Sequence, residues 1–365
     1  MIKIVNVVGT RPNFIKIAPL VEEMDRHKEI KQILVHTGQH YDATMSKFFF
    51  DDLDIPKPDI NLGVGSDSDA RQTAKIMLAF EKVLLKEKPE LVIVVGDVNS
   101  TFAAAITAKK CGVKVAHVEA GLRSFDMTMP EEINRILTDH ISDFLFTTEE
   151  SGNINLLNEG ISKNKIFFVG NVLIDTLLSH KEKSKKSKIL SDLRIKKGNY
   201  CVLTLHRPSN VDNKESLNYI LDILNNIQQK IKIVFPLHPR TLRNLKYYSL
   251  LNNIKYQKNI ILTEPLGYLD FLCMMYNSKF VITDSGGIQE ETTILGVPCI
   301  TLRNNTERPV TVEQGTNIVV NTDKNEIIKA AIKVINGAKI NSRVPQLWDG
   351  NASKRIVAIL LSKLK

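Results

Sequence analysis

Phe280-Val281-Ile282-Thr283-Asp284-Ser285-Gly286-Gly287-Ile288-Gln289-Glu290-Glu291 sets a β-branched apolar run against two glycines and the start of a helical pattern. A strand ending in Ser-Gly-Gly at a helix start turns backbone N–H groups outward without intrahelical partners. Together with the positive end of the helix dipole, they make a place for phosphate oxygens. Gly286 and Gly287 let a ligand approach the backbone closely. Glu290 or Glu291 follows about one turn later, where a carboxylate can accept hydrogen bonds from sugar hydroxyls. These features point to a nucleoside diphosphate or a sugar nucleotide. An ordinary capped helix, its glycines needed for packing, is the competing reading.

The same strand-then-helix unit recurs on both sides of this stretch. Strands are predicted in the first half over Ile2–Val8, Gln32–His36, Leu91–Val95, Val113–Val118, Phe144–Thr147 and Ile166–Val169. Helical patterns fall between them, as in Phe14–Arg26, Ser100–Lys110 and Glu131–Ser142. Near-continuous apolar strands separated by helices imply a parallel sheet covered on both faces. The pattern breaks at a Lys/Ser-rich stretch near Leu177–Lys197. It then restarts with Tyr200–Leu205, Lys232–Pro236, Ile260–Leu262, Phe280–Thr283, Cys299–Leu302 and Ile318–Val320. The expected architecture is α/β: two doubly wound Rossmann-like domains, 1–175 and 176–345. The last segment, 346–365, carries apolar residues at helical spacing and is expected to pack back on the first domain.

Composition narrows the function. A chain of 365 residues with 43% hydrophobic and 24% charged residues suits a globular protein of two ordinary domains. No apolar run reaches membrane-span length and no signal peptide is evident, so no membrane partner is expected and the cytoplasm is the default. Cys111, Cys201, Cys273 and Cys299 are scattered and form no CxxC pair, which argues against a disulfide framework or a zinc finger. The net charge of +9 is concentrated in Lys181–Lys188 and near Lys363, without a recognition module, so no nucleic-acid partner is expected.

Ligands of doubly wound sheets bind outside the carboxyl ends of the strands. After the first strand come Gly9-Thr10-Arg11-Pro12-Asn13 and Lys16, neither a P-loop nor GxGxxG; Arg11 and Lys16 read as anion binders or as exposed cations of a tight turn. Asp97 follows the Leu91–Val95 strand and Glu119 the Val113–Val118 strand. Glu131 opens the helix at Pro130. Asp97 could be a simple N-cap, whereas a carboxylate ending a buried strand needs a partner. Together the three acids suggest an acid–base cluster. In the second half His206-Arg207 and His238-Pro239-Arg240 follow adjacent strands, and Arg308 offers a further phosphate-facing guanidinium. No HExxH or compact metal pattern is present, so no metal is inferred. Ser285 reads as a phosphate-binding cap and not a nucleophile.

Thr37-Gly38-Gln39-His40, His117-Val118-Glu119-Ala120-Gly121-Leu122-Arg123-Ser124, Pro130-Glu131-Glu132-Ile133-Asn134-Arg135 and Asp284–Glu291 occur in one order and spacing. In this the chain resembles the non-hydrolysing UDP-N-acetylglucosamine 2-epimerases, from Gly9 to about Asn317. The resemblance implies the GT-B fold, two Rossmann-like domains facing across a cleft. It implies a UDP-sugar substrate, interconversion of UDP-GlcNAc and UDP-ManNAc through a 2-acetamidoglucal, no redox cofactor, and a homodimer. By motif position, Asp97, Glu119, Glu131 and His206 match the catalytic groups. Arg11, Lys16 and Arg135 match substrate-binding positions, and Ser285, Gly286, Gly287, Glu291 and Arg308 match the UDP site. Phe271 matches the residue beside the uracil. An effector site for a second UDP-GlcNAc is implied around Gln39, Arg207 and His238.

Asn13, Ser209 and Val310 depart from the glutamates many members carry, which bears on the choice among UDP-2-acetamido sugars, diacetamido uronic acids included. The alternatives are a GT-B glycosyltransferase, a hydrolysing epimerase and a non-catalytic sugar-nucleotide sensor.

Overall fold

A computed structural model describes residues 1–39, 53, 55–321, 323–338 and 340–364; His40, at the end of the Thr37–Gln39 motif, lies outside them. Seven strands form the sheet of the first unit: β1 (Ile2–Val8), β2 (Ile30–His36), β3 (Ile60–Asn61), β4 (Leu91–Val95), β5 (Lys114–Ala120), β6 (Phe144–Thr147) and β7 (Ile166–Phe168). Their order is β3-β2-β1-β4-β5-β6-β7, with every pairing parallel. The chain winds outward from β1 in one direction and from β4 in the other. Right-handed crossovers then put the intervening helices on opposite faces.

Burial explains the apolar runs. Val5, Val7, Val92, Val94 and Val115 share a core cluster with Phe80 and Val83 of helix Asp69–Glu87 and with Ala104, Ala105 and Ala108 of helix Asn99–Lys110. Alanine at those positions lets the helix lie close to the strands beneath it. Strand β2 starts at Ile30, two residues before its apolar run, because β1 pairs along its whole length from Ile2↔Ile30 to Val8↔His36.

The second unit repeats the plan with six parallel strands: β8 (Tyr200–Thr204), β9 (Lys232–Pro236), β10 (Ile260–Thr263), β11 (Phe280–Thr283), β12 (Cys299–Leu302) and β13 (Asn317–Val320), in the order β10-β9-β8-β11-β12-β13. Leu217, Ile220 and Leu224 of helix Lys214–Ile227 and Ile327, Ala331 and Val334 of helix Lys324–Ile335 pack with these strands.

The units comprise Met1–Ser179 with Gln346–Lys365, and His180–Pro345. Their boundary falls within helix Val172–Ser184, where the sequence pattern reads as a linker. Val172, Ile174 and Leu177 are buried, so the start of this helix belongs to the first core, and its Lys-rich end continues the same helix. The closing helix, Ala352–Leu364, packs against helix Arg11–Asp25, with Ile356, Val357 and Leu360 buried. Among the described residues no helix is long and apolar enough to cross a membrane.

Each sheet reverses its winding at one point: between β1 and β4 in the first unit, and between β8 and β11 in the second. Such switch points leave a crevice at the carboxyl ends of the strands. The loops there are Gly9–Asn13 and Gly96–Val98 in one unit, and Leu205–Arg207 and Asp284–Ser285 in the other.

Candidate active site

In the first unit, helix Arg11–Asp25 begins directly after β1 and puts Arg11 at its first position and Lys16 in its second turn. Asn13 fastens this loop to its neighbour. Its Oδ1 accepts from the backbone N–H of Gly9 (3.2 Å) and Thr10 (3.1 Å), while its Nδ2 donates to the carbonyl of Val95 at the end of β4 (2.9 Å). A carboxylate could not make that last bond, which gives the amide at 13 a physical reason.

The Lys16 ammonium forms an ion pair with the Glu119 carboxylate, and both side chains are buried. Glu119 sits where β5 slips register between Val118 and Ala120, with φ at +74°. A buried non-glycine residue in the left-handed region costs about 1–3 kcal/mol and persists only where its surroundings hold it. Gly96 lies beside this pair: a Cβ there would stand 3.4 Å from Lys16 Nζ and 3.8 Å from Glu119 Oε2. The β4 loop therefore passes directly over the ion pair, bringing Asp97 into the same neighbourhood.

Asp97 is not the N-cap of the following helix; Val98 is. Its carboxylate instead accepts from Arg135 Nη1 at 2.5 Å. Arg135 is buried, held on its other edge by Glu132, whose carboxylate also accepts from the N–H groups of Ser124 and Phe125. Burial opposes ionisation of Glu132, but the Ser124 amide and Arg135 outweigh it and hold its acid below the usual range. Glu131 lies half-buried on the first turn of helix Pro130–Ile141, four residues before Arg135. Among the described residues no hydrogen bond or ion pair engages its carboxylate.

In the second unit, Ser285 is the N-cap of helix Gly286–Leu295, and its side chain makes no capping bond. The helix start is glycine for a steric reason. A Cβ on Gly286 would lie 2.5 Å from Arg308 Nη1 and 2.7 Å from Glu307 Oε1. Arg308 thus rests against the helix N-terminus, its Nε 2.9 Å from Glu290 Oε1 and its Nη1 donating to Glu307 (2.6 Å). Glu307 also pairs with Arg303 (2.6 Å) and more distantly with Arg207 (3.6 Å). Burial first, then Arg207 and Arg308, lower the pKa of Arg303 against the opposing pull of Glu307. Three guanidiniums over two carboxylates leave a positive surplus beside a helix N-terminus, which suits a phosphate-bearing ligand.

Glu290 and Glu291 have different duties. Glu290 is a counter-ion of Arg308, whereas Glu291 accepts from the Tyr268 hydroxyl at 3.0 Å. Phe271, half-buried, follows Tyr268 on helix Tyr268–Tyr276. Asp284 ties β11 to the loop after β8, accepting from the N–H of His206 (3.0 Å) and Arg207 (2.9 Å), from Asn210 Nδ2 (3.1 Å), and from His206 Nδ1 (2.9 Å). Burial alone would raise its pKa, but His206 and these donors bring it down to about 2. The His206 ring is thereby oriented. His238 stands beside it, ring centroids 5.5 Å apart, with Nδ1 accepting from Arg240 N–H.

Of the implied effector residues, Arg207 and His238 stand in the second unit and Gln39 in the first. Gln39 Oε1 accepts from Ser100 N–H and Oγ. Glu132, Asp139, Tyr268, Arg303 and Glu307 are structural participants that carry no site role in the sequence reading. The buried face of helix Pro130–Ile141 is polar throughout, made of Glu132, Asn134, Arg135, Thr138 and Asp139, so no apolar stripe marks these acids in the sequence. Among the described residues no group of three or more His, Cys, Asp or Glu side chains is arranged to hold a metal.

The family model described as UDP-N-acetylglucosamine 2-epimerase matches residues 22–361. A UDP-N-acetylglucosamine 2-epimerase homolog of Methanococcus maripaludis is 48% identical over 360 residues, covering 98% of this chain and 99% of that protein. The UDP-2,3-diacetamido-2,3-dideoxy-D-glucuronate 2-epimerase of Pseudomonas aeruginosa is 38% identical, covering 99% of this chain and all of that protein (100%). The crystal structure of Methanocaldococcus jannaschii UDP-GlcNAc 2-epimerase in complex with UDP-GlcNAc and UDP superposes with a TM-score of 0.94 at 46% identity, over 99% of this chain and 100% of that one.

Proposed function

We propose that this chain, which belongs to the UDP-N-acetylglucosamine 2-epimerase family, interconverts UDP-GlcNAc and UDP-ManNAc by eliminating UDP and adding it back. The observation that carries this reading is the buried Lys16–Glu119 pair, held in a strained backbone beside Asp97 at a switch point. A group of the cluster takes the C2 proton, the C1–O bond breaks, and UDP departs with the bonding electrons, leaving 2-acetamidoglucal. A second group then delivers a proton to the opposite face of C2 while UDP returns to C1. The two transfers occur on opposite faces, so they use different members of the set Asp97, Glu119 and Glu131. Elimination and addition cancel in redox terms, so no redox cofactor is required.

The second unit supplies the nucleotide contacts. The Ser285-Gly286-Gly287 helix start, with Arg308, receives the diphosphate; Glu291 accepts from the ribose hydroxyls and Phe271 lies beside the uracil. Arg11 and Lys16 serve the leaving phosphate, and His206, oriented by Asp284, is a further catalytic group. Stabilising the leaving group matters because the C2 hydrogen is only weakly acidic. The product would supply ManNAc-type sugars for a surface polysaccharide. A homodimer, and a second UDP-GlcNAc bound near Gln39, Arg207 and His238, belong to the same reading.

A second substrate is favoured by one observation: the full-length similarity to the P. aeruginosa diacetamido-glucuronate epimerase, alongside Ser209 and Val310 where many relatives carry glutamate. The test is turnover of UDP-GlcNAc in deuterated water followed by proton NMR. UDP-ManNAc carrying deuterium at C2 is the expected product, and free ManNAc would identify a hydrolysing enzyme. Turnover of only the diacetamido uronic acid nucleotide would select the second substrate. Turnover of neither would overturn the catalytic reading.

A further inference from the structure

His117 is fully buried on β5, two residues before Glu119. Its Nδ1 lies 2.7 Å from Asp139 Oδ1 and its Nε2 lies 2.8 Å from the carbonyl oxygen of Gly96. Both ring nitrogens face oxygen acceptors, so the ring is fixed between the Asp139 carboxylate and the Gly96 carbonyl. Asp139 is ionised against it: burial opposes the charge, but His117 and then Arg123 overcome that and lower its pKa. The other Asp139 oxygen accepts from the N–H of Gly121 (3.1 Å) and pairs with Arg123 (2.7 Å), which is itself braced by Glu159.

The bonds are distributed around the two acids. Gly96, which precedes Asp97, gives its carbonyl to His117 and its N–H to the carbonyl of Val118 (3.1 Å). Gly121, two residues after Glu119, gives its N–H to Asp139. The left-handed Glu119 is therefore bracketed on both sides by one buried pair, and the same pair holds the turn that carries Asp97. We propose that the His117–Asp139 pair is a positioning device that keeps Glu119 and Asp97 in one fixed frame for the proton transfers at C2. This rests on the epimerase reading above, since it assigns those transfers to the same carboxylates. A buried ion pair alone is weak support for stability, and its best-attested use is to select one geometry.

The test compares His117→Phe with wild type on the UDP-sugar that the wild type turns over. The expected result is a kcat lower by about 10- to 100-fold, the scale of a small misplacement of reacting groups. KM and UDP affinity should stay within about twofold of wild type, because those contacts lie on other residues. The same substitution in a Glu119→Gln background should cost less than in the wild type, because part of its effect passes through Glu119. Full additivity, or a normal kcat in the folded variant, would overturn the proposal. Should the Phe variant not fold, His117→Gln, which keeps one donor, carries the same comparison. An inactive wild type would instead reject the epimerase reading.

Discussion

Glu119 and Glu131 are both acids at the ends of elements, yet the structure makes them unequal subjects for mutation. Glu119 neutralises the buried Lys16, so Glu119→Gln leaves an ammonium uncompensated. Breaking a buried pair in this way costs about 3–5 kcal/mol, and a lost activity would then mix chemistry with stability. Glu131 has no such duty. Glu131→Gln is expected to lower kcat by ~10²–10⁴-fold, the usual contribution of a general acid or base. Its thermal midpoint should remain close to wild type, since a substitution away from buried partners costs within about 0.5 kcal/mol. Near-normal turnover in this variant would remove Glu131 from the proton transfers. Arg308 shows the same limit on reading residues singly. It is visible in sequence as a cation after a strand, but besides the adjacent Glu307 its buried partner Glu290 comes from the helix after β11. Glu132 and Asp139 are hidden for the same reason: their role exists only through Arg135, Ser124, His117 and Arg123. Pattern reading finds groups at strand ends, and the partners that give them a function are set by tertiary packing.

At the scale of elements, the parallel strands were legible because both faces of each sheet are covered, which makes the strands continuous apolar runs. The pair Ile60–Asn61 was not, since a two-residue edge strand has no period to detect. Asp284 connects elements that are far apart in sequence, binding the end of β11 to the loop after β8. Its folded pKa of about 2 lies below its ordinary value of 3.8. The stabilisation, on the order of 2 kcal/mol, is present above the unfolded value and is lost as pH falls through the folded one. Urea denaturation between pH 2 and pH 6 should therefore show Asp284→Asn most destabilised relative to wild type at pH 6. The gap should narrow below about pH 4, where the wild-type carboxylate begins to lose its advantage. A gap that stays constant across this range would mean that the charge of Asp284 does not hold the two loops together.

Across the whole molecule, the chain leaves the first unit at Ser179 and comes back to it at Gln346. The return is fastened by two buried groups. Trp348 donates its indole N–H to the carbonyl of Thr148 (2.8 Å), and Asp175 accepts from Ala352 N–H (3.1 Å) and from Ser353 N–H (2.7 Å) and Oγ (2.8 Å). Asp175 thus caps the closing helix from helix Val172–Ser184. Burial raises the pKa of Asp175 despite these donors, so the carboxylate bears a desolvation cost that the helix amides offset only in part. Asp175→Ala leaves the first amides of the helix without an acceptor in a buried setting, at about 1–3 kcal/mol. Trp348 is the single tryptophan of the chain, so its fluorescence reports this seam without labelling. In the native protein it should emit at short wavelength, as a fully buried indole does. The Asp175→Ala variant should lose that emission at a midpoint roughly 2–10 °C lower, following the usual relation between stability and melting temperature for a domain of this size. An unchanged Trp348 midpoint would show that the closing helix is held by its apolar face alone, through Ile356, Val357 and Leu360.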